Sequence, residues 1–558
     1  MRFASACIET VLLLAVLSLS GSCGKEKSEA KNAQEYARLT ASAIKLYTEM
    51  QPLRSSRLGI AGSDSLLFTF SEDEIAGSIQ RLKKLKSQWS GLSATNLTAR
   101  DIDEATVVIH WLRGELFALE TLQNHRCNPL LYCWMAEEAL WGMPARITPP
   151  YDGELDAYRK RMQRIPALLR SGMRHIANPA EAHVRYAIER LDTLTSSLET
   201  LEIVIEQRYG TTMEAELDQV RTSLLDFHRF ASGLLPVAHG TLILGAENLS
   251  KLFLYGELLN ADPNVLVAQA ENQIKRLAGE KSSLERRDTH DSARTTGEPI
   301  ASRVERLSAE LRAPNEGRPM SGQTGGAQPI LEYPARVEYL SPIDKDPYLS
   351  IPPPSERSRA AAVTFPFSAP ACQPYLLLSA ENAVAGDTEL KFQLLCAAPE
   401  IRAPDDIRCE KHDSLGALFA SETFTEGWRY LALLERARDM RKSDPALYAH
   451  VLNDRMKKLA RMIIVFRLHA GVLTSDEAVR YLVETLGMDR DAATREVLQA
   501  SVAPSVAWPG ISIVLIEEML KRAAYADGHG EPNRDLAKLL LASRDLPLAL
   551  ILPRIKSD

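Results

Sequence analysis

The chain has 558 residues, of which 45% are hydrophobic and 25% charged, as in an ordinary globular protein. Its net charge of −7 and isoelectric point near 6.0 give no reason to expect a polyanionic partner, so nucleic-acid binding is not expected. Aromatic residues make up only 6%, while leucine, alanine, glutamate and arginine abound. This composition predicts a mainly α protein, long enough for two or three cores at about 100–200 residues per domain.

The first residues have the pattern of a secretory signal. Arg2 gives a positive start, residues 11–19 are apolar, and the small residues 20–22 precede Cys23. The stretch is too short to cross a membrane as a helix. Its end resembles the lipobox of bacterial lipoproteins, in which the cysteine becomes the lipidated first residue. Cleavage by the ordinary signal peptidase, with no lipid on Cys23, is the alternative.

The signal at residues 1–22 predicts export to the bacterial cell envelope, with the periplasmic and outer surfaces both open. Residues 23–40 would carry the lipid-anchor site and a polar tether, so contact with a membrane is expected through the anchor. No later run reaches about 18 uninterrupted apolar residues, so we expect no spanning helix in the body.

Cysteine usage points to no metal site. Two of the seven cysteines belong to the signal and the lipobox. The other five are Cys127, Cys133, Cys372, Cys396 and Cys409. None has the spacing of a zinc-binding pair, and an odd number leaves at least one thiol unpaired. A bridge between Cys127 and Cys133 and two buried free thiols are both open.

Residues 41–279 are predicted to form an N-terminal helical region. Apolar residues from Val184 to Val204 recur every three or four positions, which marks one face of a helix. Residues 280–330 are rich in serine, threonine, arginine and glycine and are predicted to be a flexible or eroded segment. In the C-terminal region, 331–555, extended strands are expected near 333–367, and helices from Leu376 onward.

Several short strings resemble the bacterial family catalogued as domain of unknown function 885. The clearest is the string from Phe424 to Trp428 (FTEGW), which is similar to an F-x-E-G-W element of that family. The other matching strings are Leu468–Gly471 with Thr474 and Glu477, Arg495–Val497, Pro509-Gly510, Leu546–Leu548, Leu244–Asn248 and the proline-rich stretch from Tyr333 to Pro354. The resemblance covers about 40–555, apart from 280–330.

This resemblance implies an exported protein with a helical, zincin-like peptidase fold. Family members that look catalytic carry H-E-x-x-P-G-H, and the glutamate of E-G-W is the third zinc ligand. Two imidazoles and one carboxylate leave an open position on Zn²⁺, where the pKa of a bound water falls to about 7. The glutamate beside the first histidine then accepts that water's proton as the water attacks a peptide carbonyl.

In this chain the stretch that aligns with the zinc motif lacks the two histidines and the general base. Glu381 and Asp387 stand at the two histidine positions, and Asn382 stands at the general base. The amide of an asparagine is not basic, so it cannot take up the proton. Glu426 is retained at the third ligand position. Ile511 and Val514 occupy the places where the family has a tyrosine and a glycine.

Each retained residue allows two interpretations of its role. Glu426 is either a residual ligand or a structural hydrogen-bond acceptor, and His469 either lines the former substrate cleft or is a structural histidine. The trio of Glu381, Asp387 and Glu426 has the oxygen ligands that suit a hard cation such as Ca²⁺, or is simply solvated or salt-bridged.

These observations predict an exported lipoprotein that binds a peptide or protein partner and lacks zinc-dependent catalysis, so no catalytic site is intact and no cofactor is expected. One alternative is a metal-dependent peptidase that uses oxygen ligands from Glu381, Asp387 and Glu426. A second is a periplasmic structural or assembly factor. If the ligand helices have kept their packing, residues 372–400 and 415–440 should form two adjacent helices that bring Asp387 near Glu426.

Overall fold

The structure is a computed structural model. It describes residues 32–93, 97–144, 146, 150–285 and 421–527, parts of 536–555, three short strands between 335 and 378, and isolated positions between 306 and 419. Cys23 and the rest of the signal region lie outside the described residues.

Helices occupy nearly all of the first described half. The first, α1, covers residues 32–50. It is followed by α2 (Pro52–Arg57), α3 (Glu72–Ser90), α4 (Ala99–Phe117, extended by a π-helical turn at Ala118–Leu122), α5 (Asn124–Cys127), α6 (Pro129–Trp141), α7 (Glu154–Met162), α8 (Ile165–His175), α9 (Glu181–Ser196), α10 (Leu198–Tyr209), α11 (Glu214–Leu234), α12 (Ala246–Glu257) and α13 (Pro263–Glu285).

The C-terminal half is equally helical. Its helices are α14 (Glu422–Ser443), α15 (Pro445–His469), α16 (Ser475–Leu486), α17 (Arg490–Val502), α18 (Trp508–Asp527) and α19 (Leu548–Ile551). Short 3₁₀ turns lie at Leu235–Val237, Pro504–Ala507 and Leu552–Arg554. The predicted mainly α class is confirmed.

The described strands are three short segments, β1 (Ala335–Val337), β2 (Tyr348–Ser350) and β3 (Tyr375–Leu378). β3 lies in the centre, parallel to β1 and antiparallel to β2. The expectation of a helix from Leu376 is wrong for Leu376–Leu378, which belong to β3. Four apolar residues in a row carry no periodicity that separates a buried strand from a helix, so pairing with the other strands decides the conformation.

Buried apolar side chains of the described residues form three large clusters. The first joins α1, α3 and α4, and the second joins α6 to α11. The third joins α12 and α13 to α14–α19. Two helices of the expected N-terminal region therefore belong to the C-terminal core, and α13 runs past the expected boundary at 279 to pack along α15.

Local sequence explains where several helices begin. At α3, α4 and α16 a serine or threonine hydroxyl accepts the backbone N–H three residues on, and an acidic side chain there returns the bond. These capping boxes satisfy two of the four free N–H groups at a helix start. At α16 the pair is Thr474 and Glu477, two residues of the family-like strings, so local capping is enough to account for them.

Cys127 and Cys133 are both free thiols, which decides against a bridge between them. Cys133 is fully buried and Cys127 is half-buried. Among the described residues, no single helix is long and apolar enough to cross a membrane. The two successive helical segments Arg490–Val502 and Pro504–Ala523 are long and apolar enough only when they are taken together, and they meet at a bend of 114°.

Candidate functional site

Glu426 lies in the second turn of α14. This helix begins at Ser421, whose hydroxyl oxygen accepts the backbone N–H of Phe424 at 3.0 Å. Phe424 and Trp428 are buried in the third core and fix the orientation of the helix. The indole N–H of Trp428 finds no acceptor among the described residues.

The carboxylate of Glu426 is paired with the next turn of its own helix. Arg429 Nη1 donates to Glu426 Oε1 at 2.6 Å, and the glutamate side chain is 14% exposed. Pairs at this spacing on helix surfaces contribute only about 0.2–0.5 kcal/mol. The pair neutralises the carboxylate, which agrees with the structural reading of Glu426, but it is too weak to exclude a metal by itself.

The other aligned ligand positions, Glu381, Asn382 and Asp387, lie outside the described residues. The predicted approach of Asp387 to Glu426 therefore stays a prediction. Within the described ranges, no group of three or more His, Cys, Asp or Glu side chains is placed to hold a metal ion. Neither aligned histidine position carries an imidazole, so the expectation that the chain holds no zinc rests on its sequence.

His469 is a buried structural residue. It ends α15 at 1% exposure, with Nδ1 3.0 Å from the carbonyl oxygen of Leu242 and Nε2 3.1 Å from that of Ala500. Burial lowers the pKa of the imidazole, and the two carbonyl contacts act against that shift. The neutral ring carries one N–H, so it donates to one of these two carbonyl oxygens while it packs between the 242–245 loop and the end of α17. Of its two readings, the structural one describes its contacts.

Two glycines of the family-like strings allow helices to approach closely. A β-carbon on Gly427 would lie 2.7 Å from Leu548 Cδ1 and 3.1 Å from Ile516 Cγ1. A β-carbon on Gly510 would lie 2.5 Å from the main-chain oxygen of Lys458. All three distances are shorter than van der Waals contact. These glycines permit α18 to pack on α14 and on α15.

The positions where the family has a tyrosine and a glycine are part of the core here. Ile511 and Val514 lie on α18 and are at most 3% exposed. They are members of the third core, among the apolar side chains of α14 and α15. Neither side chain offers a hydrogen-bond donor to a reacting group.

A buried carboxyl group that the sequence did not indicate lies at the start of α14. Glu257, the last residue of α12, is 4% exposed, and its oxygens accept hydrogen bonds from Ser421, Glu422 and Thr423. A glutamate at the end of an amphipathic helix is usually solvated. Only the fold, which brings residues 257 and 421 together, reveals the contact.

An open groove of about 460 Å³ runs beside α12 and the loop that leads into α13. Its lining residues are Glu247, Ser250, Lys251, Leu254, Leu259, Asn260, Ala261, Asp262 and Pro263. Lys251 and Glu247 form an ion pair of 2.6 Å there. Glu426 is not among the residues that line this groove.

The fold is similar to two solved structures over almost its whole length. One is described as a candidate lipoprotein of unknown function from Shewanella oneidensis, with a TM-score of 0.68, 12% identity, and coverage of 93% of this chain and 99% of that chain. The other is described as a candidate lipoprotein from Colwellia psychrerythraea, with the same score and identity and coverage of 93% and 98%. At this identity the likeness concerns the fold. No family model and no curated protein sequence matches the chain.

Proposed function

We propose that this chain is an exported lipoprotein of the bacterial cell envelope that binds a peptide or protein ligand and has no zinc-dependent catalysis. The signal at 1–22 and the lipobox-like end at Cys23 support export and anchoring. The likeness to two candidate lipoproteins over 93% of the chain agrees with that assignment.

The observation that carries the loss of catalysis is the kind of residue that the family-like strings keep. Gly427 and Gly510 allow close helix packing, His469 contacts two neighbouring segments from the end of α15, and Thr474 with Glu477 caps α16. Each is accounted for by the fold. The two histidine positions, the base position and the tyrosine position carry other residues, so the residues that shape the fold are kept while most of those that would carry the chemistry are not.

For the ligand, the described residues offer the groove along α12. Its volume of about 460 Å³ is in the range of ordinary ligand pockets. Leu254 and Leu259 supply apolar surface, while Glu247 and Lys251 supply one charge of each sign. A peptide side chain with a charged end and an apolar stem would match this lining.

Metal content tests the loss of catalysis. The purified chain should contain no stoichiometric zinc and show no chelator-sensitive cleavage of peptides. The triple variant Glu381→His, Asn382→Glu, Asp387→His should take up zinc, because it restores two imidazoles beside Glu426. Adding Glu426→Gln to that variant is the matched control and should abolish the uptake. Zinc together with chelator-sensitive cleavage in the unmodified chain would overturn the proposal and favour the metal-dependent peptidase.

Ligand binding is tested with an immobilised random peptide library. Peptides selected on the unmodified chain should bind the Lys251→Glu variant more weakly, since the substitution reverses the cation of the groove. Lys83→Glu is the matched control, because Lys83 forms a similar exposed ion pair, 2.7 Å from Glu120, away from the groove. A library that yields no binder, or binders equally weakened by both variants, would instead favour the structural or assembly factor.

The anchor is tested by Cys23→Ser in a bacterial host. The variant should lose acyl labelling and most of its membrane association, because one lipid-modified residue is the expected attachment. Unchanged retention on the membrane would remove the lipoprotein part of the proposal and leave the binding part standing.

A further inference from the structure

Glu257 joins two helices through its side chain. It ends α12 where the chain turns through Leu258, which has a left-handed φ of 54°. Its Oε1 accepts the backbone N–H of Glu422 at 2.7 Å. Its Oε2 accepts the hydroxyls of Ser421 at 2.5 Å and Thr423 at 2.6 Å. The carboxyl group thus occupies the N-terminus of α14, where the free N–H groups favour the anion and so act against the larger effect of burial.

The two hydroxyls extend this junction to a third segment. Ser421 Oγ accepts the Phe424 N–H, and Thr423 Oγ1 accepts the N–H of Leu548 at 3.3 Å. The end of α12, the start of α14 and the start of α19 are therefore held by one hydrogen-bond network. Only the carboxyl group of this network titrates near neutral pH.

Among the described residues, no Lys, Arg or His forms an ion pair with Glu257. The charge that acts on its pKa is the carboxylate of Glu422, which repels it and raises the pKa. Burial raises the pKa of the Glu257 carboxyl to about 7, although its three hydrogen bonds act in the opposite direction. An uncompensated buried charge is costly, so the group gains by taking up a proton.

We propose that Glu257 is a proton-operated latch, which holds the start of α14 tightly when protonated and more loosely when ionised. The protonated form has a place for its extra hydrogen, because Ser421 Oγ and Thr423 Oγ1 lie 3.0 Å apart. One hydroxyl turns to donate to the other and accepts from the carboxyl O–H. This inference does not depend on the proposed ligand or on the lipid anchor.

The sign follows from linkage between proton binding and opening. In the closed junction the carboxyl has a pKa of about 7, and in the opened junction it returns toward its ordinary value of 4.5. Opening therefore releases a proton and becomes easier as the pH rises through this window. Between pH 5 and pH 8 the opening equilibrium should increase by about ten- to a hundredfold.

Other titratable groups lie on α12 itself and on α4, which packs against it. On α4 they are His110, with Nδ1 3.1 Å from the Leu254 carbonyl oxygen, and Glu115, bonded to Gln51 and Trp111. Burial lowers the pKa of His110, so it changes charge at a lower pH than Glu257. On α12, Lys251 and Glu247 are paired with each other.

Hydrogen exchange of the full chain, read in peptides that cover residues 421–430, tests the latch. After correction for the intrinsic pH dependence of exchange, protection should fall by about ten- to a hundredfold from pH 5 to pH 8. Glu257→Gln should remove this dependence. Glu115→Gln, which neutralises a different buried carboxyl group, should leave it in place. Constant protection in the unmodified chain, or the same transition in Glu257→Gln, would overturn the proposal.

A second variant keeps the test decisive if Glu257→Gln does not fold. Thr423→Val removes one donor to the carboxylate, so the transition should move to higher pH. Difference infrared spectra of the unmodified chain should show the carbonyl band of a protonated carboxylic acid growing as the pH falls through about 7, and Thr423→Val should shift the midpoint of that band equally. A midpoint below pH 5, or one that Thr423→Val does not move, would refute the latch.

Discussion

Replacing Gly510 by alanine should destabilise the C-terminal core, although alanine is the better helix former. The added β-carbon would lie 2.5 Å from the Lys458 main-chain oxygen and 2.7 Å from Met462 Cβ. Normal contact needs about 3.5–4.0 Å. A main-chain oxygen cannot move alone, so α15 and α18 must separate by about an ångström at this crossing.

The magnitude follows from two opposing effects. Overpacking of a closely packed core costs about 1–3 kcal/mol, and alanine in place of glycine in a helix returns at most about 1 kcal/mol. We expect a net loss of about 2 kcal/mol, since the clash involves backbone. For a folding unit of about 150–250 residues, this corresponds to a melting temperature lower by about 4–8 °C.

The assay is thermal unfolding of the full chain, with Gly279→Ala as the matched control. Gly279 lies in α13, where a β-carbon would meet nothing within 4 Å. The control should therefore stabilise by up to about 1 kcal/mol. Opposite shifts are expected from the two glycine-to-alanine changes. A melting temperature for Gly510→Ala equal to or above that of the unmodified chain would refute the packing argument.

Three further changes test structural assignments by chemical or thermal unfolding. Thr474→Ala should cost about 1 kcal/mol by removing the capping box with Glu477, and exchange of the first amides of α16 should accelerate; unaltered exchange would contradict the cap. His469→Ala should cost about 2–4 kcal/mol, since it opens a cavity and leaves a buried carbonyl oxygen without its donor; a smaller loss than 1 kcal/mol would argue against the structural role. Burial lowers the pKa of His183 to about 4 in the folded chain. As the pH falls, the imidazole is therefore protonated in the unfolded chain before it is protonated in the folded one, and the free energy of unfolding should fall by up to about 3 kcal/mol between pH 6.5 and 4. His183→Gln should flatten that part of the pH profile, and an unchanged slope would exclude His183 as its source.

Hydrophobic periodicity predicted the buried side chains more accurately than it predicted the ends of the helices. The single apolar face read from Val184 to Val204 is present, and Val184, Ala187, Leu191 and Leu194 are all buried. The structure nevertheless divides the segment into α9 and α10 at Ser197. Periodicity records the face that meets the core, and two helices in succession can present one such face.

The sequence did not predict the contacts between residues that lie far apart along the chain. Nothing local indicates that α12 and α13 leave the N-terminal helices and join the C-terminal core, because an amphipathic helix does not specify its partner. The burial of Glu257 follows from that choice, since it arises only where residues 257 and 421 meet. The helix predicted over 415–440, by contrast, is present as α14 (Glu422–Ser443), and it carries Glu426 as expected.

The ion pair between Glu426 and Arg429 is too weak to exclude zinc binding at Glu426, although its N–O distance is short. A pair three residues apart on a partly exposed helix contributes about 0.5 kcal/mol, whereas binding of Zn²⁺ at a structural site supplies about 10 kcal/mol or more. A complete donor set would therefore displace the arginine easily. The proposed loss of zinc rests instead on the donors, because three carboxylates brought to one point would repel each other and favour protons or hard cations. Removing Arg429 alone should consequently leave the chain without zinc, while restoring the two imidazoles should suffice with Arg429 still present.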